Sequence, residues 1–188
     1  YPSFDVTRDG RSVYLSSRAD FEYRLLRIPL FSYSHEVKER YDENFCLEYI
    51  ESSTETRREK IALNGQRTQG GFTVNTIEGG AGEDLSVPCL TTFAYWSPKL
   101  LTQNQLLNGQ DGRLMPVTIE PIITDETDES AKKSYRLKAE SLDLTLHYSA
   151  DGQWLGLESL LPAGRRLIYK LENYRAATAR TEQGSRDQ

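Results

Sequence analysis

Apolar and polar residues alternate along most of this chain, which is the pattern of β-strands that bury one face. The clearest stretch runs from residue 135 to residue 148, and Asp151-Gly152 supplies a turn signal directly after it. A period of two residues places one set of side chains on the core face and the other set in water. The stretch therefore predicts a half-buried antiparallel meander.

The same rhythm begins near the first residues. Asp9-Gly10 separates two short apolar runs and predicts a hairpin. After Pro29, which has no N–H for a ladder and so indicates a bend or an edge, alternate positions carry Phe31, Tyr33, His35 and Val37. Asn64-Gly65 is interpreted as a turn. In total the pattern predicts roughly ten to twelve strands.

One stretch breaks the rhythm. Ser97 can cap a helix, Pro98 suits a first helical position, and leucines follow. We therefore expect one short helix near residues 97–107. The fold class predicted is all-β: a single, strongly curved antiparallel sheet that forms a spiral or open β-barrel around that helix.

The length of 188 residues suits one domain. We assign residues 1–174 to a single β-barrel-like domain. Residues 175–188 contain no apolar residue larger than Ala, so we predict a disordered polar tail there. A polar, acid-rich connection is predicted over 124–133, and a turn over 162–164.

Charge argues against a nucleic-acid partner, and the lengths of the apolar runs argue against a transmembrane helix. The chain carries 23 basic and 28 acidic residues, with a formal net charge of −5, and no basic stripe stands out. A nucleic-acid partner is therefore not expected. No apolar run reaches the roughly 20 residues that cross a bilayer as a helix, so no transmembrane segment is expected.

The first residue is Tyr1, with no initiator Met and no apolar leader. We therefore expect an exported chain whose signal peptide has been removed, and a periplasmic location. Cys46 and Cys89 are the two cysteines, and in an oxidising compartment we expect them to form a disulfide worth about 3 to 4 kcal/mol. The alternative is two buried free thiols.

The sequence contains none of the catalytic or metal-binding motifs considered below. Neither a G-x-S-x-G elbow nor a zinc pattern such as H-E-x-x-H occurs, so no catalytic residue, metal or cofactor is predicted. His35 stands on the apolar side of its strand and is interpreted as a buried, hydrogen-bonded histidine. His147 stands on the polar side and is interpreted as a solvated one. The least favoured hypothesis is an enzyme that uses His35 or paired acids within the barrel.

Several blocks resemble an uncharacterised family of exported bacterial proteins, domain of unknown function six-one-three-four. The likeness spans residues 3–172, although family members typically carry Asn where Ser97 stands. The matching blocks are Phe45-Cys46-Leu47, residues 93–98 (FAYWSP), residues 106–112 (LLNGQDG), residues 147–155 (HYSADGQWL) and residues 164–169 (GRRLIY). No catalytic residues are established for this family, so the resemblance implies none. More loosely, the pattern is similar to periplasmic lipoprotein-carrier-like open β-barrels, an analogy of fold only.

Two functions follow. The first is a periplasmic, non-enzymatic binding or carrier protein for an apolar or lipid-like ligand in the bacterial envelope. The alternative is an envelope interaction or structural subunit with a filled barrel, which docks a partner protein through a strand edge or an aromatic patch around Tyr95 and Trp96. For the first function the expected ligand-binding residues are Phe31, Tyr33, Val37, Tyr95, Trp96, Leu144, Leu146 and Leu157.

Overall fold

A computed structural model describes residues 3–25, 28–76, 83–123, 132–140, 142–160 and 166–171, with the backbone alone for 21–25 and 28–31. These residues form an all-β protein with no α-helix among them. No helix in the described ranges is long and apolar enough to cross a bilayer. The predicted tail 175–188, the turn 162–164 and most of the connection 124–133 lie outside these ranges.

The first sheet is an antiparallel meander of seven strands in sequence order, each hydrogen-bonded to the next. The hairpin predicted at Asp9-Gly10 joins its first two strands, and Gly10 takes a φ of 58°. The strands are β1 (Ser3–Asp9), β2 (Ser12–Leu25), β3 (Ile28–Tyr41), β4 (Leu47–Thr56), β5 (Lys60–Thr68), β6 (Gly71–Thr76) and β7 (Glu83–Leu85).

The second sheet has six strands, in the order β13-β12-β11-β10-β9-β8. The predicted meander from residue 135 to residue 148 is its centre, where Leu137 pairs with Leu144. The strands are β8 (Gln105–Leu107), β9 (Leu114–Ile122), β10 (Lys133–Ala139), β11 (Leu142–Tyr148), β12 (Trp154–Leu160) and β13 (Arg166–Lys170).

The chain therefore forms two sheets where one continuous, curled sheet was predicted, and the described residues close neither sheet on itself. The break falls in the central segment, residues 86–104, which connects β7 to β8. Pro88 and Pro98 lie in this segment and cannot donate to a ladder. The all-β class is confirmed.

The helix expected near residues 97–107 is a single 3-10 turn over Pro98–Thr102. Ser97 caps it by accepting from the Lys99 N–H at 3.3 Å, as the sequence suggested. The following residues are strand because the Leu107 N–H donates to the Thr91 carbonyl at 2.9 Å. That partner lies earlier in the central segment, and residues 105–107 also pair with β9, so the leucines do not continue a helix.

Asn64-Gly65 is not a turn, because β5 runs through it without a break. A Cβ at position 65 would lie 2.5 Å from Cε1 of the buried Phe72 ring. A glycine at this position leaves the space that the Phe72 ring occupies.

The β2–β3 hairpin extends beyond its neighbours. β2 pairs with β1 only as far as Arg18, and β3 pairs with β4 only from Tyr33 onward. Among the described residues, the part of β3 that contains Pro29 has a neighbour on one side only, with Pro29 opposite Arg24. This position agrees with the bend or edge that Pro29 indicated.

Buried side chains form two clusters, one associated with each sheet. The first comprises Val13, Val37, Tyr41, Leu47, Ile50, Leu63, Phe72, Val74, Leu85, Leu90, Ala94 and Leu107. The second comprises Leu100, Leu106, Val117, Leu137, Ala139, Leu144, Leu146, Tyr148, Trp154 and Leu157.

Candidate functional site

The structure does not bring the predicted ligand-binding residues together on one surface. Val37 and Trp96 pack in the first cluster, while Tyr95, Leu144, Leu146 and Leu157 pack in the second. Tyr33 is half-buried at the far end of β3. The side chain of Phe31 lies outside the described part of the chain.

Four of these eight residues are almost fully buried by the protein's own side chains. Leu146 is 0% exposed, Leu144 5%, Leu157 7% and Val37 8%. A cavity wide enough for an acyl chain would leave accessible area on the side chains around it. Around the three leucines, the interior is filled by neighbouring side chains of the second cluster.

The central segment accounts for the division between the clusters. Successive side chains along it alternate: Phe93 and Tyr95 pack against the second cluster, whereas Ala94 and Trp96 belong with the first. The Tyr148 hydroxyl donates to the Tyr95 carbonyl at 2.7 Å, and burial raises the pKa of the Tyr95 phenol. Tyr95 and Trp96, around which an aromatic patch was expected, are therefore partly buried, each against a different cluster.

A disulfide ties the central segment to the first sheet. Cys46 and Cys89 are bonded, with their Cα atoms 4.9 Å apart. Beside the bond, the Leu47 N–H donates to the Leu90 carbonyl at 2.7 Å. The disulfide predicted from the sequence is confirmed, and it holds the start of the segment against β4.

A buried polar cluster lies where the segment meets β3. Glu39 is 5% exposed, and its Oε2 accepts from the Tyr41 hydroxyl at 2.7 Å. The same hydroxyl lies 2.9 Å from the Thr92 Oγ1 of the central segment. Burial raises the pKa of Glu39 to about 7, although the hydroxyls of Tyr41 and Thr92 oppose the shift.

Sequence reasoning missed this cluster, although the signal was present. The alternation through Tyr33, His35 and Val37 continues to Glu39 and Tyr41 in the same register. Extending the period by two residues would have placed a carboxyl on the buried face. Such a group is a candidate functional residue because perturbed pKa values concentrate at functional sites, although structural networks also produce them.

The two histidines are held by hydrogen bonds, and only one matches its interpretation. His35 is half-buried, and its Nδ1 lies 2.9 Å from the Thr54 Oγ1, as expected for a packed histidine. His147 is not freely solvated: its Nδ1 lies 2.9 Å from the Ser134 hydroxyl, and its Nε2 lies 3.5 Å from Glu158. Across the described residues, no group of three or more His, Cys, Asp or Glu side chains is placed to hold a metal ion.

Two of the open depressions in the described part of the molecule are lined by polar and apolar side chains together. One, of about 550 Å³, lies over β9 to β11 and is lined by Thr118, Lys138, Glu140 and Asp143, with Pro116, Val117, Ala139 and Leu142 as the apolar part. The other, of about 450 Å³, lies over β3 to β6 between side chains such as Lys38, Glu51 and Asn64, and includes Val37. Neither offers a long apolar lining for an acyl chain.

The outer strands of the sheets present the other exposed features. β1 ends the first sheet and β13 ends the second, and each has a hydrogen-bonded neighbour on one side only among the described residues. Apolar side chains lie exposed there: Phe4 on β1, Leu167 and Ile168 on β13, and Leu160 on the adjacent β12, the last 63% exposed. An edge of this kind can add a strand from another chain.

Comparison with known proteins gives a fold and a family. No curated protein matches the chain. The chain is similar to the crystal structure of a beta-barrel-like protein of domain of unknown function DUF1849 from Brucella abortus, with 10% sequence identity and a TM-score of 0.58. The likeness covers 93% of this chain and 87% of that chain, and at this identity it shows the fold alone. Residues 2–172 match the family described as Domain of unknown function (DUF6134), and the chain belongs to that family.

Proposed function

We propose that this protein is a non-enzymatic interaction subunit of the bacterial envelope, which binds a partner protein through its exposed strand edges. The observation that carries the proposal is the burial of the side chains that a carrier would use to line its cavity. Leu144, Leu146 and Leu157 are buried in the second cluster, and Val37 is buried in the first. This arrangement favours the filled-barrel alternative over the carrier.

A carrier would need space that these residues occupy. To admit an acyl chain, the second cluster would have to open and expose side chains such as Leu137 and Leu146, both 0% exposed. Each buried leucine that is returned to water costs about 1.5–3 kcal/mol, which offsets the roughly 0.8 kcal/mol gained per methylene of the guest. The filled interior therefore supports docking at the surface.

The outer strands offer backbone groups to which a partner can bind. A strand with one free side presents a row of N–H and C=O groups that a strand of a partner can pair with, and neighbouring side chains add specificity. On β13 the free edge also carries Ile168, which is 52% exposed. Exposed apolar side chains beside unpaired backbone support an interaction surface.

The envelope location rests on the disulfide together with the resemblance to exported proteins. A Cys46–Cys89 bond persists in an oxidising compartment such as the periplasm and is uncommon in a reducing cytosol. A bond that anchors the central segment suits a protein that works outside the cytosol.

Photo-crosslinking tests the proposal. A photoreactive amino acid is placed at Thr7 on β1 or at Ile168 on β13, in cells that produce the protein. The matched control is Asn64, which is exposed on β5 and has strands on both sides. We expect a discrete protein adduct from the two edge positions and none from Asn64. Adducts to lipid, or no adduct at either edge, would overturn the proposal.

A further inference from the structure

We propose that the partner of these edges is a second copy of this chain, with β1 of one copy paired with β13 of the other. This inference rests on the proposed function, because it names the occupant of the same strand edges. It is argued from the charges that the two edges carry.

The outer face of β1 carries two acids. Asp5 pairs with Ser16 and Asp9 pairs with Ser12, so both acids lie on the side of the sheet opposite Val6 and its buried partner Leu15. Both are exposed, and they stand four residues apart.

The outer face of β13 is basic at both ends with the same spacing. Arg166 pairs with Leu160 and Lys170 pairs with Gly156, on the side of the second sheet opposite Tyr169 and its buried partner Leu157. These cations are also four residues apart and exposed. Glu158 lies 3.7 Å from Arg166, whose side chain is nevertheless 71% exposed and able to contact a second carboxylate.

Equal spacing lets the charges match in either orientation. A parallel pairing sets Asp5 opposite Arg166 and Asp9 opposite Lys170, and an antiparallel pairing exchanges the two cations. In both alignments Thr7 falls opposite Ile168. Opposite charges on directly facing strand positions are favourable, and like charges there are unfavourable.

The inner faces add apolar contact. With Thr7 opposite Ile168, Val6 faces Leu167 in the parallel pairing and Tyr169 in the antiparallel one, and Leu167 is 38% exposed in the single chain. Phe4, also 38% exposed, lies beyond these positions with its ring against Trp154 of the same chain, 5.8 Å between ring centroids. Arg8 is the remaining inner residue of β1, and it lies over the Phe45 ring at 5.7 Å. The mixed pairing thus covers apolar surface that the single chain leaves in water.

The alternative pairings of the same edges are disfavoured. Two β1 strands in antiparallel pairing would set Asp5 against Asp9, and two β13 strands would set Arg166 against Lys170. The proposed assembly is a two-fold dimer, in which each copy donates β1 and accepts β1 at β13. One symmetric dimer would then cover β1 and β13 of both copies, while β7 and β8 remain the outer strands at the other ends of the two sheets.

Charge reversal with complementation tests the pairing. One variant carries Asp5→Lys with Asp9→Lys, and the other carries Arg166→Glu with Lys170→Glu. The control carries Glu51→Lys with Glu55→Lys, two exposed acids four residues apart on β4, a strand with neighbours on both sides. Circular dichroism confirms that each variant is folded, and sedimentation equilibrium gives the mass of each alone and of the two edge variants mixed.

We expect a two-chain mass for the natural sequence and for the control. Each edge variant alone should dimerise about 100-fold more weakly, and the mixture should recover the two-chain mass because both of its interfaces are again complementary. A natural sequence that stays monomeric at every concentration overturns the inference, as does a dimer that neither reversal weakens. If the protein is monomeric while Thr7 and Ile168 still crosslink to another envelope protein, this inference fails and the proposed function stands. If crosslinking is also absent, both fail.

Discussion

Glu39 shows how one buried carboxyl connects a local contact to the behaviour of the whole chain. The Tyr41 hydroxyl stabilises its carboxylate, yet no cation is among the groups that shift its pKa, and burial dominates. The groups packed around it are Tyr41 and Thr92, with Leu15 and Ile50 as its strand partners. A carboxyl held in this way is easier to keep neutral than charged.

We predict that Glu39→Gln stabilises the protein above pH 7 and leaves its stability almost unchanged below pH 4.5. The folded-state pKa is raised from 4.5 to about 7, so the stability of the natural chain falls as the pH rises between these values. At about 1.4 kcal/mol per pKa unit, the gain above pH 7 is ~3 kcal/mol. Urea unfolding across this pH range measures it. The control is Glu51→Gln, because exposed Glu51 also accepts from a tyrosine hydroxyl, that of Tyr49 at 3.1 Å. Equal pH dependence in the Glu39 variant and the natural chain would contradict this account.

Gly65 supports a second prediction at this scale. Gly65→Ala should destabilise the protein by about 1–3 kcal/mol, because the new methyl would lie 2.5 Å from the Phe72 ring and 3.1 Å from the Thr73 carbonyl oxygen. Gly70→Ala is the matched control, since a Cβ there meets nothing within 4 Å. Thermal unfolding of the two variants compares them, and equal melting temperatures would show that the close approach is unimportant.

At the scale of elements, the two-residue period did not predict the structure of the central segment. Its residues turn alternately toward two different clusters, so they show periodicity without belonging to a regular strand. Ser97 and Pro98 mark the start of the 3-10 turn, but the predicted helix does not form, because Gln105–Leu107 pairs with β9 and the Leu107 N–H donates to Thr91 of the central segment. Local signals can place the start of such an element, and its end is decided by tertiary contacts.

The strands were more predictable where both the turn and the period agreed. Asp9-Gly10 gave the first hairpin, and the alternation from residue 135 to residue 148 gave β10 and β11. Asn64-Gly65 carries the same kind of turn signal and is mid-strand, because the reason for its glycine is a ring on β6. The sequence alone does not distinguish these two uses of glycine.

The disulfide anchors the central segment, and its removal should loosen that element first. Cys46→Ala with Cys89→Ala is expected to lower the free energy of unfolding by about 4 kcal/mol, from the chain entropy of the 43-residue separation. Hydrogen exchange should be faster at Leu47, whose N–H bonds to Leu90 beside the disulfide, than at Leu137 in the second sheet. Reductant should destabilise the natural chain and not the double variant. Uniform acceleration at both sites would argue against a local anchor.

At the scale of the whole molecule, two sheets with separate buried clusters replace the single concave face that the sequence suggested. The class and the disulfide could be predicted because they depend on periodicity and on two cysteines. The division of the core could not be predicted, because it depends on which side chains between Phe93 and Trp96 pack against each of the two clusters. We infer that this division fills the space expected to hold a ligand, and β1 and β13 are among the strands that end the two sheets in the described residues. Docking at these edges follows from the same packing.

The filled interior is the central claim, and the two tryptophans test it most directly. Trp96 packs against the first cluster and Trp154 belongs to the second, and they are the chain's two tryptophans. A brominated fatty acid quenches tryptophan fluorescence on contact, and the same acid without bromine is the control. We predict no saturable quenching when the brominated acid is titrated into the folded protein. Saturable quenching that reaches one acyl chain per protein would show a cavity beside these rings and would contradict the account.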